Sequence, residues 1–113
     1  MSNNKKLKMN FIILDRIYES KFIKTMKKQG FIKYFLFYAK GSASSDILDY
    51  LGIGESEKEV LVYPTSEKDS DKLFHVISES EFMKKVLAFK VPVKGISSKK
   101  SLEYFLKEVV NNE

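Results

Sequence analysis

Two stretches of helical period, each held between apolar runs of strand length, constrain this chain more than any other feature. "KMNFIILD" (residues 8–15) is short, apolar and rich in β-branched residues, as a buried strand is. "RIYESKFIKTMKKQG" (residues 16–30) changes period, with Phe22, Ile23 and Met26 three and four apart. Glu19 and Ser20 come early in it, Lys27 and Lys28 late, and Gly30 ends it, which matches the helix dipole and its stop signal. "FIKYFLFYAK" (residues 31–40) is apolar on both alternating faces, predicting a strand covered on both sides. "KEVLVYPT" (residues 58–65) predicts a third strand. Ser66, with Asp69 three places on, predicts a capped helix over "EKDSDKLFHVIS" whose buried stripe is Leu73, Phe74 and Ile77. "KKVLAFKVPVKG" predicts a fourth strand with Leu87, Phe89, Val91 and Val93 on one face. Pro92 cannot donate to a ladder, so this strand end belongs at an edge or just past its pairing. Finally "SSKKSLEYFLKEVVNN" carries Leu102, Phe105, Leu106 and Val109 on one helical stripe, with Ser97 or Ser98 as its cap.

Two split βαβ units of this size fold most simply as an α+β, ferredoxin-like βαββαβ sandwich. The expected sheet is four-stranded and antiparallel with both main helices on one face, a short helix between strands 2 and 3, and a C-terminal helix. The expected division is a basic tail over 1–7, a domain over 8–96, and a helix over 97–113 packed on the domain or on its neighbour. Lys5, Lys6 and Lys8 are assigned to the tail. The second strand is apolar on both sides, so the sheet's other face needs a cover: the last helix or another subunit. Self-association is the expectation.

A length of 113 residues with 43% hydrophobic content suits one domain with one core. No run approaches the ~18 apolar residues of a membrane span, and "MNFIILD" is too short for a signal peptide's apolar core. Membrane insertion is therefore not expected. The absence of cysteine suits a cytoplasmic protein. The net charge is +5, but the basic residues are scattered lysines, with Arg16 the sole arginine. Most read as solvated surface rather than as a nucleic-acid footprint.

Catalytic constellations are missing, and the expectation is a protein that is not an enzyme. His75 has neither an orienting partner nor a nucleophile at hand in sequence. No metal-ligand spacing surrounds it; Asp46 and Asp49 read as helix-start acids ahead of a cation site. RNA binding stands as a third, less favoured class, because the third strand, "EKEVLVYPT", lacks the aromatic RNA-binding motif. Phe11 and Tyr63, its best stacking candidates, read as core.

"KGSASSDILDYLGIG" (residues 40–54) resembles neither strand nor ordinary turn. Gly41 allows a ligand close to the backbone, Ser42, Ser44 and Ser45 supply hydroxyls, and a helix beginning near Asp46 offers free N–H groups to an anion. The plainer alternative is a capped surface helix packing Ile47, Leu48 and Leu51 and stopping at Gly52. Neither a Walker lysine nor a dinucleotide glycine pattern follows.

The order of elements, with "NFIILD", "FLFYAKGSASSDILDYLGIGESEKEVLVY" and "AFKVPVKGI", resembles the PII-like superfamily, relatives of the nitrogen regulatory protein PII. The resemblance runs from about Met9 to Ser98. It implies a homotrimer with sheets facing inward. Small effectors, typically adenine nucleotides, would lie in clefts between subunits, and a loop between strands 2 and 3 would contact a target protein, a transporter or enzyme. Gly41 matches the glycine ending the family's second strand. The family's glycine-rich phosphate loop should fall at "SEFMKKVLAF", which has no glycine, and its Arg-Thr-Gly sequence is replaced by "VKGISSKKS". Tyr50 does not stand in the surroundings of the tyrosine that some PII proteins carry uridylylated.

The expected function is therefore signal transduction: sensing a small anionic metabolite or nucleotide, with regulation of a partner through residues 41–57. Ligand contacts are assigned to Gly41, Ser42, Ser44 and Ser45, with charge from Lys84, Lys85 and Lys94. Partner contacts are assigned to Ile47, Tyr50 and Leu51, and no metal is expected. The competing class is a trimeric scaffold that docks a partner without any ligand.

Overall fold

The computed structural model describes residues 6–39 and 58–107. Strands β1 (Leu7–Asp15), β2 (Phe35–Ala39), β3 (Lys58–Ser66) and β4 (Val86–Pro92) form one sheet in the order β2-β3-β1-β4. Every neighbouring pair is antiparallel. A 3-10 turn (Arg16–Tyr18) leads into helix α1 (Glu19–Lys28); α2 (Glu67–Ser78) joins β3 to β4, and α3 (Lys99–Leu106) follows β4. This is the expected ferredoxin-like arrangement, with β4 at an edge. The short helix expected between strands 2 and 3 lies outside the described residues.

Alternation along β1 decides which face is the core. Ile12 and Leu14 point to the same side as Leu61 and Tyr63 of β3, and all four are closed to solvent. Phe22 and Met26 of α1, Leu73 and Ile77 of α2, and Phe31 and Phe82 of the connections complete that cluster. Both main helices therefore cover one face. Phe22 packs edge-on against Phe82 and Tyr63, with ring centres 5.2 and 6.5 Å apart.

The helix ends follow from local chemistry. Gly30, at φ 92, turns the chain out of α1. Its N–H donates to Lys27 O and the Phe31 N–H to Met26 O, both at 3.0 Å, which satisfies carbonyls the helix would leave open. Ser66 Oγ accepts from the Asp69 N–H at 3.1 Å and starts α2, and Ser98 does the same for α3 through Ser101.

Two boundaries differ from expectation. Residues 31–34 make no ladder: the Gly30 turn drops Phe31 into the core, and β2 begins only at Phe35. Lys8 is not tail. The ladder runs out to Leu7, and Lys8 pairs across it with Thr65 and Pro92 and reaches Glu67 at 3.5 Å.

The second face carries Met9, Phe11 and Ile13 of β1, with Val60 and Val62, Phe35 and Phe37, and Leu87, Phe89 and Val91 alongside. Helix α3 lies on this side, with Phe105 against Phe35 at 6.0 Å between ring centres. It covers one end only. Phe37 remains 55% exposed, and Phe89 and Val91 are each 43% exposed. Val109, assigned to the α3 stripe, lies outside the described residues.

Candidate functional site

Where β2 begins, the chain between Gly30 and Phe35 runs beside the end of α3, and the two enclose a cleft of about 450 Å³. Its walls are Ile32, Lys33, Tyr34 and Phe35 on one side, Tyr104, Phe105 and Lys107 on the other, and Pro64 of β3. Pockets that hold small ligands span roughly 300–1,000 Å³. The wall chemistry is unusual for so small a chain: four aromatic rings and two ammonium groups.

Lys33 organises the cleft. Its Nζ donates to Tyr104 O at 2.6 Å and lies 4.5 Å from the centre of the Tyr104 ring. An ammonium group has three protons, so this bond leaves donors for a ligand. Burial, followed by the nearby charge of Lys107, lowers the Lys33 pKa from its ordinary value. Two like charges facing one cleft are strained electrostatically until an anion comes between them. The rings of Tyr34, Phe35, Tyr104 and Phe105 offer flat apolar surface beside that positive point. The arrangement suits a planar or apolar group bearing a phosphate or carboxylate.

A second polar cluster stands at the opposite end of the sheet. Lys58 pairs with Asp15, and Arg16 Nε lies 3.3 Å from Glu59 Oε1, a carboxylate closed to solvent. The Arg16 guanidinium also lies 5.2 Å from the centre of the Tyr38 ring. Ala39 and Lys58 are ladder partners beside these charges. At about 3.3 Å per residue, the six steps from Lys58 to Pro64 put this cluster roughly 20 Å from the cleft.

Gly41, Ser42, Ser44, Ser45, Ile47, Tyr50 and Leu51 all lie outside the described residues. Lys84 and Lys85 are exposed in the turn before β4, and Lys85 Nζ lies 5.0 Å from the Tyr18 ring centre. Lys94 is exposed beyond the other end of β4, so the strand holds it apart from Lys84 and Lys85 within one subunit. His75 is exposed, with Glu79 3.9 Å from it. Tyr63 is core, whereas Phe11 lies on the second face, stacked on Phe89 at 5.1 Å. Among the described residues no three potential metal ligands gather, and no helix is long and apolar enough to cross a membrane.

The sequence reading missed the cleft. Lys33 stands inside a run assigned wholly to a strand, and the stripe on α3 hid Tyr104 and Lys107. A signal was present: "IKYF" and "YFLK" each place a lysine beside aromatic residues.

No protein-family model and no curated protein matches this sequence. Solved structures do. A PII-like signalling protein from Thermus thermophilus superposes with a TM-score of 0.58 at 21% identity, over 78% of this chain and 86% of that one. CPII, a nitrogen regulatory PII-like protein from Thiomonas intermedia bound to ADP, AMP and bicarbonate, gives 0.56 at 16% identity, over 78% and 90%. The same protein bound to ADP, AMP and acetate gives 0.57 at 16% identity, over 80% and 90%. The resemblance carried by the order of elements is met in three dimensions: this chain folds as the PII-like signalling proteins do.

Proposed function

We propose that this protein is a PII-like, ligand-sensing regulator rather than an enzyme, binding a small anionic ligand at the cleft between the entry of β2 and α3. The cleft itself carries the reading: Lys33 and Lys107 supply positive charge beside four aromatic rings, in a volume fit for a small molecule. An adenine nucleotide heads the candidates. It pairs a flat base with phosphates, and CPII, whose fold this chain shares, is described as bound to ADP and AMP.

The wider assignment is a homotrimer, joined through the open sheet face, that works in the cytoplasm and passes the signal to a transporter or enzyme, in nitrogen metabolism by analogy. Residues 41–57 are the proposed output, with Gly41, Ser42, Ser44 and Ser45 responding to ligand and Ile47, Tyr50 and Leu51 touching the partner. In such an assembly Lys84, Lys85 and Lys94 supply charge to a separate site between subunits. Ligand acts by favouring one of two pre-existing arrangements of the output segment.

Thermal and chemical unfolding with AMP, ADP, ATP and bicarbonate tests this. A ligand at 100 times its Kd should stabilise the fold by about 2.7 kcal/mol. Lys33→Met with Lys107→Met should weaken binding at least tenfold. If none of these compounds stabilises the protein, the ligand-free scaffold is the better account.

A further inference from the structure

Two adjacent rows on the second face of the sheet are apolar from edge to edge. One cross-strand row runs Phe37, Val60, Ile13 and Leu87, and the next runs Phe35, Val62, Phe11 and Phe89. No charged side chain interrupts either row. Helix α3 lies over one end, beside Pro64 and Phe35, where Val62 is only 5% exposed.

That cover is thin. None of the eight residues of α3 is buried. Among the described residues its attachments include the Phe105 ring on Phe35, the Lys33 bond to Tyr104 O, and close approach to β1 and β3. An isolated helix of this length is unstable in water, so α3 is helical only while it stays docked. Phe37 and Phe89, which it leaves open, belong to these two rows.

Area decides what the face can do in each condition. A phenylalanine has roughly 200 Å² to bury, so Phe35, Phe37 and Phe89, each about half exposed, with Val91 leave a patch on the order of 350 Å². A stable interface takes about 800 Å² from each partner. With α3 docked the face falls well short. With α3 lifted, Val62, Pro64 and the covered part of Phe35 add to the open rows and bring the face toward that size. A second copy presents the same uncharged, flat aromatic surface, which satisfies it without burying an unpaired charge.

We propose that α3 is a displaceable cover, that a second copy of this chain takes its place on the sheet, and that the docked helix and the second copy exclude each other. Self-association is then gated by the C-terminal helix. The inference rests on the assembly face proposed above, and the tests separate the two. Because the Lys33–Lys107 cleft needs α3 docked, it belongs to the lone chain, and ligand held there opposes assembly.

Sedimentation velocity over a wide concentration range, without ligand, compares the full chain with Phe105→Asp and with Glu103→Pro, which breaks the helix from an exposed position. Both variants should associate at least tenfold more tightly than the unsubstituted chain. Phe37→Asp should abolish association in either background. Hydrogen exchange should find the Leu102–Leu106 amides protected in the lone chain and unprotected in the assembly. If Phe37→Asp abolishes association but neither helix variant strengthens it, α3 is no gate and only the assembly face stands. If Phe37→Asp leaves association intact, the face itself is wrong. An assembly that keeps the α3 amides protected also overturns the exclusion.

Discussion

Ser70 Oγ donates to Asn10 Oδ1 at 2.6 Å, joining the first turn of α2 to the middle of β1 through two side chains closed to solvent. Asn10 spends its own amide protons on Tyr63 O at 2.7 Å and Thr65 Oγ1 at 2.9 Å, so one side chain ties β1, β3 and α2 together. The site holds α2, and hence the turn bearing Lys84 and Lys85, in register with the sheet.

Asn10→Ala should therefore destabilise the fold by about 2–4 kcal/mol, because it strands buried partners on two elements. Ser70→Ala, which removes a single donor, should cost about 1–2 kcal/mol. Urea unfolding monitored by circular dichroism measures both, with an unchanged m-value as evidence that the native state keeps its compactness. Equal costs would mean that Asn10 does not act as a hub.

Tyr63 is the converse case. Its ring is closed to solvent among Phe22, Phe31 and Tyr34, and its hydroxyl meets no hydrogen-bond partner among the described residues. Burial, and then Tyr34, push its pKa up. Tyr63→Phe should be neutral or stabilising by up to about 1 kcal/mol, since it removes a desolvated polar group and keeps the ring. Tyr63→Ala should cost about 3–5 kcal/mol. A destabilised Phe variant would reveal a hidden partner for the hydroxyl.

These two residues mark what the sequence can and cannot disclose. Periodicity identified both main helices and all four strands, because burial on one face imposes itself on every second or third residue, and Pro92 pointed to the edge position of β4. The Ser66 cap was readable because it is local. Asn10 was not: its partners Tyr63, Thr65 and Ser70 are more than fifty residues away, and inside "MNFIILD" it looks like a break in an apolar run. The cleft was hidden for the same reason. Lys33 and Lys107 come together only after α3 has folded back across the sheet.

Glycine substitutions separate backbone need from mere exposure. At φ 92, Gly30 occupies the left-handed region, and Gly30→Ala should cost about 1–2 kcal/mol. Gly95 has nothing within 4 Å of where a Cβ would stand, so Gly95→Ala should lie within about 0.5 kcal/mol of neutral. Guanidinium unfolding of the pair decides it; similar losses would remove the special role given to the α1 stop.

The electrostatics of the cleft make ligand binding pH-dependent in a definite sense. Burial and Lys107 hold the Lys33 pKa below its ordinary 10.5 in the free protein. Between the lowered and the ordinary value the unfolded chain holds more protons than the folded one, so this group makes folding more favourable as pH rises through that window. An anion seated between the two lysines stabilises the charged form and raises the Lys33 pKa again, so binding in that alkaline window must take up protons. Affinity for ADP should fall as pH rises through the lowered Lys33 pKa. Calorimetry in two buffers of different ionisation enthalpy should register the proton uptake, and Lys33→Met should abolish it. Binding that is independent of pH over this range, with no proton uptake, would place the ligand's charge away from Lys33.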